Sequence, residues 1–221
     1  MKPWHAPPVP GPARQTPGVE AAWRDALVEH GLLRSYPARS IIVHEGDAGD
    51  LLYLILTGSV QIFSTNEAGK VVVYDTFGPG DLLGEPTLDG GARSASVVTL
   101  EKTTCSVITG SAFKGLVANN PALAMDVIFR LIRLLRSSNE HVKSLALEDV
   151  YGRVVRLLMK YAIADGDRWV IHQKLTHQSI AEHVGSSREM VGRVMNDLRT
   201  GGYVVAEKGV IVIVRKPPPG W

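Results

Sequence analysis

At Pro121 the spacing of apolar residues along the chain changes abruptly, and this change limits the folds open to it more than any other feature. Between residues 40 and 109, as in "SIIVHEGDAGDLLYLILTGSVQIFSTNEAGKVVVYDTFGPGDLLGE", short Val-, Ile- and Leu-rich runs are broken every 8–12 residues by Gly or Asp-Gly-type turns. "NEAGK" reads as a hairpin turn with Gly69 at a left-handed position. Evenly spaced short strands predict a small antiparallel barrel or sandwich. From Pro121 the apolar residues recur at helical spacing, with Asn120 a candidate N-cap and Pro121 in the first turn. The two patterns are segregated, which makes the chain α+β.

One register of the helical stretch is a seam. Ala124, Ile128, Leu131, Leu135, Ser138, Val142 and Leu145 alternate steps of four and three, as in a coiled coil. A monomer would lay this helix on its own β-domain. Ile132 and Leu134 widen the stripe, as expected if one face meets that domain and another meets a second subunit. Residues 121–147 are therefore expected to form a homodimerisation helix. Ser138 is polar within the seam and is followed by Asn139, so it either sets register or faces a ligand.

A third block starts near Val150. "VYGRVVRLLMKYAIADG" is expected to be a helix ended by Asp165-Gly166, and "RWVIHQ" a short strand. "THQSIAEHVG" is a compact helix with Thr176 as N-cap, and "SSREMVGRVMNDLRTGG" a second helix. "YVVAEKGVIVIV" is a hairpin turning at Glu207-Lys208-Gly209, and "RKPPPGW" looks unstructured. Two helices across a Gly turn followed by a hairpin make a winged helix-turn-helix. On the second helix Val191, Val194, Met195 and Leu198 form the inward stripe, leaving Arg188, Glu189, Gly192, Arg193 and Asn196 on the other side. In a major groove Arg donates to guanine and Glu accepts from cytosine. The plainer reading makes Ser186-x-x-Glu189 a capping box, with Arg188 and Arg193 merely solvated.

Composition narrows the function classes. Residues 151–221 hold 11 Lys/Arg against 6 Asp/Glu, and the remainder 13 against 16, so the basic charge gathers where the helix pair lies. Cys105 is the single cysteine, which excludes an intramolecular disulfide and an all-cysteine iron–sulfur cluster. No histidine spacing marks a metal site, and no nucleophile–base pair stands in a recognisable context, so no enzyme is expected. No apolar run approaches the roughly 20 residues of a membrane span. The Pro-rich leader, residues 1–18, lacks a signal-peptide core and is expected to be disordered, with the cytoplasm as default compartment.

From about residue 19 to 214 the chain resembles the Crp/Fnr family of bacterial transcription regulators. "GSVQIF", "GDLLGEPTLDGGARSASV", "EDVYGR" and "VGSSREMVGRV" carry the resemblance. It implies three parts. Residues 19–120 would be an antiparallel β-roll (a double-stranded β-helix of cyclic-nucleotide-binding type), 121–147 the dimerisation helix, and 148–216 the winged helix-turn-helix. Ser187, Arg188, Glu189 and Arg193 match the family's recognition signature, implying a palindromic TGTGA-like operator in double-stranded DNA. Gln178 matches a phosphate-contacting position, with Thr176 beside it. RNA polymerase is an implied partner, and a membrane is not.

The resemblance also maps an effector site. Gly84, Glu85, Arg93 and Ser94 match a phosphate-binding cassette in which Glu accepts from a ribose 2′-hydroxyl and Arg pairs with the cyclic phosphate. Ser138 and Asn139 match the pair that contacts adenine. The stretch between Glu85 and Arg93 is one or two residues shorter than usual, and Pro86 stands where Leu or Met is customary. The alternative is a degenerate cassette with Glu85 and Arg93 paired to each other. No cofactor is required. The expected effector is cAMP or another cyclic nucleotide, with cyclic di-GMP, or no small ligand, as the other readings. Effector binding is expected to bias the C-terminal domains about a hinge near residues 147–150.

Overall fold

The computed structural model describes residues 20–207 and 209–218, and the leader expected to be disordered lies outside the described residues. In chain order the elements are α1 (Glu20–His30), β1 (Leu32–Tyr36), β2 (Ile41–Val43), β3 (Leu51–Thr57), β4 (Val60–Thr65), β5 (Val71–Phe77) and β6 (Leu82–Leu83). A 3₁₀ turn at Glu85–Asp89 follows, then β7 (Ser96–Thr99), β8 (Thr103–Thr109), α2 (Gly110–Asn119) and α3 (Pro121–Leu147). The chain ends in α4 (Val150–Tyr161), β9 (Ile163–Asp165), β10 (Arg168–Ile171), α5 (His177–Val184), α6 (Arg188–Thr200), β11 (Val204–Glu207) and β12 (Val210–Ile213). The fold is α+β, with the antiparallel β-domain, long helix and helix-turn-helix that the sequence implies.

Two four-stranded sheets, ordered β1-β8-β3-β6 and β2-β7-β4-β5, build the β-domain. The period-2 pattern of β3 explains how it sits between layers. Tyr53 and Ile55 join Val43, Val60, Phe77, Val97 and Cys105 in the core between the sheets. Leu52 and Leu54 face the other way, onto Leu27 of α1, Phe113 of α2 and Leu123 of α3. Burial pushes the Cys105 thiol up to about 11, so it behaves as an inert small hydrophobe. Gly69 takes φ +76 in its hairpin, as its sequence position predicts.

The chain divides into two compact units, and the division falls inside α3, between Ser138 and Asn139. Leu123, Val127 and Leu134 of the first part of α3 pack on the β-domain cores. Tyr74–Ser138 belongs to the first unit, whereas Thr65–Val73 and the chain from Asn139 onward make up the second. Within the second unit, Arg153 of the "EDVYGR" motif donates to the carbonyls of Val184 (2.9 Å) and Glu148 (2.8 Å). It thereby satisfies acceptors near the ends of α3 and α5.

The second unit packs α4, α5 and α6 on a sheet ordered β11-β12-β10-β9, around Val154, Leu158, Ile180, Val191 and Leu198. One expectation is corrected here. The helix after Val150 ends at Tyr161, not at Asp165-Gly166, because Ile163–Asp165 pairs with β10 as strand β9. Gly166 turns this hairpin with φ +62 rather than capping a helix. Of the tail "RKPPPGW", residues 219–221 lie outside the described residues, and residues 215–218 are less loose than the sequence suggests. Arg215 lies 4.3 Å over the Tyr203 ring and donates to Gly201 O at 3.0 Å, while Pro217 is buried. Among the described residues no single helix is long and apolar enough to cross a membrane.

Candidate functional site

In the β-domain the cassette is assembled by backbone. Gly84 takes φ +96, a conformation L side chains avoid, and a Cβ there would stand 2.6 Å from Arg93 Nη1. Gly49 leaves similar room, since a Cβ on it would meet Arg93 Nη2 at 2.9 Å. The Arg93 backbone is tied to the preceding loop through Arg93 N–Asp47 O and Gly46 N–Arg93 O, both 2.9 Å. Its guanidinium is buried, donates from Nη2 to Leu51 O at 2.7 Å, and lies 6.0 Å over the Tyr53 ring. Arg93 Nη1 has no hydrogen-bond partner. A buried, charged donor without a partner costs several kcal/mol unless an anion meets it, and the two glycines let this guanidinium pack directly against the backbone. The donor set therefore fits a phosphate.

Glu85 opens the 3₁₀ turn one residue beyond Gly84. It does not pair with Arg93. Its Oε1 accepts from Arg130 Nε at 3.1 Å, and Arg130 Nη1 donates to Asp81 Oδ1 at 2.9 Å. Burial raises the Glu85 pKa, and the Arg130 guanidinium works against that rise. So the degenerate-cassette reading, in which Glu85 and Arg93 satisfy each other, is not what forms. Arg130 was missed in the sequence, although a lone Arg inside "VIFRLI" was a visible signal: a cation within an apolar helical run needs a partner. Ser94 is exposed in the bend after Arg93, and Ser138 and Asn139 are exposed on α3. Gly84, Glu85 and Arg93 are thus brought together, while Ser138 and Asn139 lie either side of the division between units.

The helix pair is built with caps. Thr176 Oγ1 accepts from Ser179 N at 3.1 Å and Ser179 Oγ accepts from Thr176 N at 2.9 Å, a closed capping box. Gly185 ends α5 at φ 65. Gln178 is exposed, with its amide donating to Glu182 Oε1 at 2.8 Å. Burial raises the Glu182 pKa, and the Gln178 amide opposes the rise.

At α6 the capping expectation is corrected. The N-cap is Ser187, whose Oγ accepts from Met190 N at 3.2 Å, so Ser186 does not begin a capping box with Glu189. Glu189 sits in the first turn, where its own backbone N–H and then the Ser187 side chain hold its carboxyl below the usual range. Val191, Val194 and Leu198 are buried, whereas Arg188, Glu189, Arg193 and Asn196 are exposed on the opposite side. Neither Arg188 nor Arg193 is consumed by an ion pair among the described contacts, and the face offers donors, one ionised acceptor and an amide.

Two family models match the chain: the cyclic nucleotide-binding domain over residues 33–120 and the Crp-like helix-turn-helix domain over 152–217. The cAMP-activated global transcriptional regulator CRP of Haemophilus influenzae is 34% identical over 207 residues, covering 88% of this chain and 91% of that protein. A CRP-like cAMP-activated global transcriptional regulator of Mycobacterium tuberculosis is 28% identical, covering 89% of this chain and 90% of its own. Among solved structures, the c-di-GMP-responsive global regulator CLP of Xanthomonas campestris superposes with a TM-score of 0.79. It is 25% identical, and the match covers 88% of this chain and 99% of that one.

Proposed function

The chain belongs to the Crp/Fnr family of transcription regulators, and we propose that it is a homodimeric DNA-binding regulator controlled by a cyclic nucleotide, with cAMP the first candidate. The single observation that carries the effector reading is Arg93: a buried guanidinium with an unpaired Nη1, set against a left-handed glycine beside an ion-paired carboxylate. An anionic diester meets Arg93, and a ribose hydroxyl donates to Glu85. Ser94 would supply further donors to the phosphate, and Ser138 with Asn139 would receive the base.

Gln178 and Thr176 would face the phosphate backbone, while Ser187 starts the helix that would present Arg188, Glu189 and Arg193 to base edges of a TGTGA-like half-site. A dimer through α3 matches two half-sites about one helical turn apart. The exposed Ile128, Leu131, Leu135 and Val142 support that interface. RNA polymerase as partner and the cytoplasm as location follow from the same reading.

Cyclic di-GMP is the second reading, supported by the shortened cassette and by the c-di-GMP response named for the Xanthomonas regulator. Calorimetric titration with cAMP and with cyclic di-GMP, using Arg93→Ala as control, tests both. The expected result is saturable cAMP binding that the substitution weakens by roughly tenfold or more. Unchanged affinity in Arg93→Ala overturns the site. Binding of cyclic di-GMP alone moves the function to the second reading.

A further inference from the structure

Basic residues dominate the C-terminal part of the chain, yet a carboxylate is buried in the first helix of the helix pair. Glu182 of α5 is 5% exposed. Its Oε1 accepts from Gln178 Nε2 at 2.8 Å, one helical turn earlier, and its Oε2 is buried with no hydrogen-bond partner among the described residues. An ionised carboxylate left half bare in this way is destabilising, and an apolar side chain would fill the position without that cost. Packing alone gives no reason for an acid here.

The hydrogen bond decides which end of Gln178 is turned outward. A carboxylate only accepts, so an ionised Glu182 holds the amide nitrogen to itself and leaves Gln178 Oε1, an acceptor, as the outer end. An acceptor is the wrong group to meet a DNA phosphate. A protonated Glu182 donates through its O–H, and the Gln178 amide can then turn over. Its Oε1 accepts from Glu182, and both N–H donors become available on the exposed side.

The surroundings favour the protonated form. Burial raises the Glu182 pKa, and the Gln178 amide is the influence that opposes the rise. The groups on the packed helices are engaged elsewhere. From α4, Arg153 binds the Val184 carbonyl and Tyr161 meets the His183 ring edge-on. From α6, Gly192 lies against His177, while Arg188, Glu189 and Arg193 are exposed. His177 and His183 are the other titratable side chains of α5.

We propose that Glu182 is a positioning residue of the DNA-backbone contact: in its protonated form it turns the Gln178 amide so that the N–H donors face a phosphate, and DNA binding takes up that proton from solvent. The inference rests on reading Gln178 as a phosphate contact.

The test measures the affinity of the full chain, with cAMP present, for a TGTGA-like operator and for a random-sequence duplex at pH 8 and pH 5.5. It compares the wild type with Glu182→Gln and Gln178→Ala. A glutamine at 182 is neutral at both pH values and can donate to Gln178 Oε1. Glu182→Gln is expected to bind about tenfold tighter than the wild type at pH 8, the order of one hydrogen bond to a charged group, and equally at pH 5.5. Histidine titration is shared by both proteins and cancels in that comparison. The two duplexes should gain by the same factor, because a phosphate contact carries no sequence information. Calorimetry in two buffers of different ionisation enthalpy should show proton uptake on DNA binding that is smaller in Glu182→Gln. If Glu182→Gln binds like the wild type at both pH values, or more weakly, while Gln178→Ala weakens both duplexes, the role of Glu182 is overturned and the phosphate contact stands. A gain confined to the operator also overturns it. If Glu182→Gln does not fold, Gln178→Ala decides, since that side chain is exposed. A smaller gain towards low pH than in the wild type supports the proposal, and an equal gain overturns it. A Gln178→Ala variant that binds both duplexes like the wild type at either pH removes the phosphate contact, and this inference with it.

Discussion

Arg93 and Arg130 are both largely buried, yet their hydrogen-bonding differs in kind. Arg130 has a partner for Nε, Nη1 and Nη2, whereas Arg93 leaves Nη1 without one. The first arrangement belongs to a finished structural cluster and the second to an open site. The finished cluster has a pH signature. Burial raises the Glu85 pKa, so the folded chain holds that proton more tightly than the unfolded chain does. Stability from this group is present below the ordinary glutamate range and is lost as pH rises through the raised folded value. Arg130 is the largest influence opposing the rise, with Asp81 on the same guanidinium adding a smaller push upward. Arg130→Met should therefore cost more at pH 8 than at pH 5, approaching about 3 kcal/mol where Glu85 is ionised. Urea unfolding at the two pH values measures this, and an equal penalty at both would mean that Glu85 does not depend on Arg130 for its charge. At the DNA face the residue-scale expectation concerns Arg188. Its replacement by Ala should cost about 1–3 kcal/mol at a single guanine, read by competition among operator variants. A uniform loss over all sequences would identify a phosphate contact instead.

Elements were legible where periodicity and capping chemistry agreed, and illegible where one residue type had two uses. α3 was readable to its ends because Asn120-Pro121 starts it and the apolar steps of three and four persist through Leu145. α4 was overextended. "YAIADG" continues a tolerable helical composition, and only the pairing of Ile163–Asp165 with β10 reveals a strand. The cassette's end groups were legible as Glu85 and Arg93, but their partners were not, since Leu51 O and Arg130 come from 42 and 45 residues away in sequence. The two adjacent serines before α6 were ambiguous for the same kind of reason: each is followed three residues later by a plausible first-turn donor. The structure makes Ser187 the cap, and this yields a sharp comparison. Ser187→Ala should destabilise the protein by about 1 kcal/mol, while Ser186→Ala should stay within about 0.5 kcal/mol. Thermal or denaturant unfolding of the two variants side by side checks it. A larger loss at Ser186 would restore the capping box.

At the scale of the molecule, α3 carries two demands on one helix. Its inner residues Leu123, Val127 and Leu134 are spent on the β-domain cores, yet Leu135 and Val142 remain 61% and 64% exposed. Apolar side chains that regular in spacing and that exposed support the proposed pairing with a second copy of the helix along the seam. Leu135→Lys should leave each chain folded, because the side chain touches little of its own chain, but shift the protein to monomer in sedimentation velocity. Affinity for a palindromic operator should fall together with the dimer, since each half-site alone gives only part of the binding energy. The same reasoning bounds what an effector can do. Whatever factor cAMP imposes on operator affinity, typically 5–150-fold for a coupled pair of sites, the operator must impose on cAMP affinity, because both are one coupling free energy. Fluorescence anisotropy of operator DNA with and without cAMP gives the first factor, and calorimetry of cAMP into free and DNA-bound protein gives the second. Equal factors above one place effector and DNA on a shared two-state equilibrium of the dimer. Factors of one in both directions would mean that the nucleotide, though bound, does not control DNA affinity. Leu135→Lys supplies the decisive control: if the coupling runs through the paired α3 helices, the factor should collapse towards one in the monomer while cAMP still binds through Arg93.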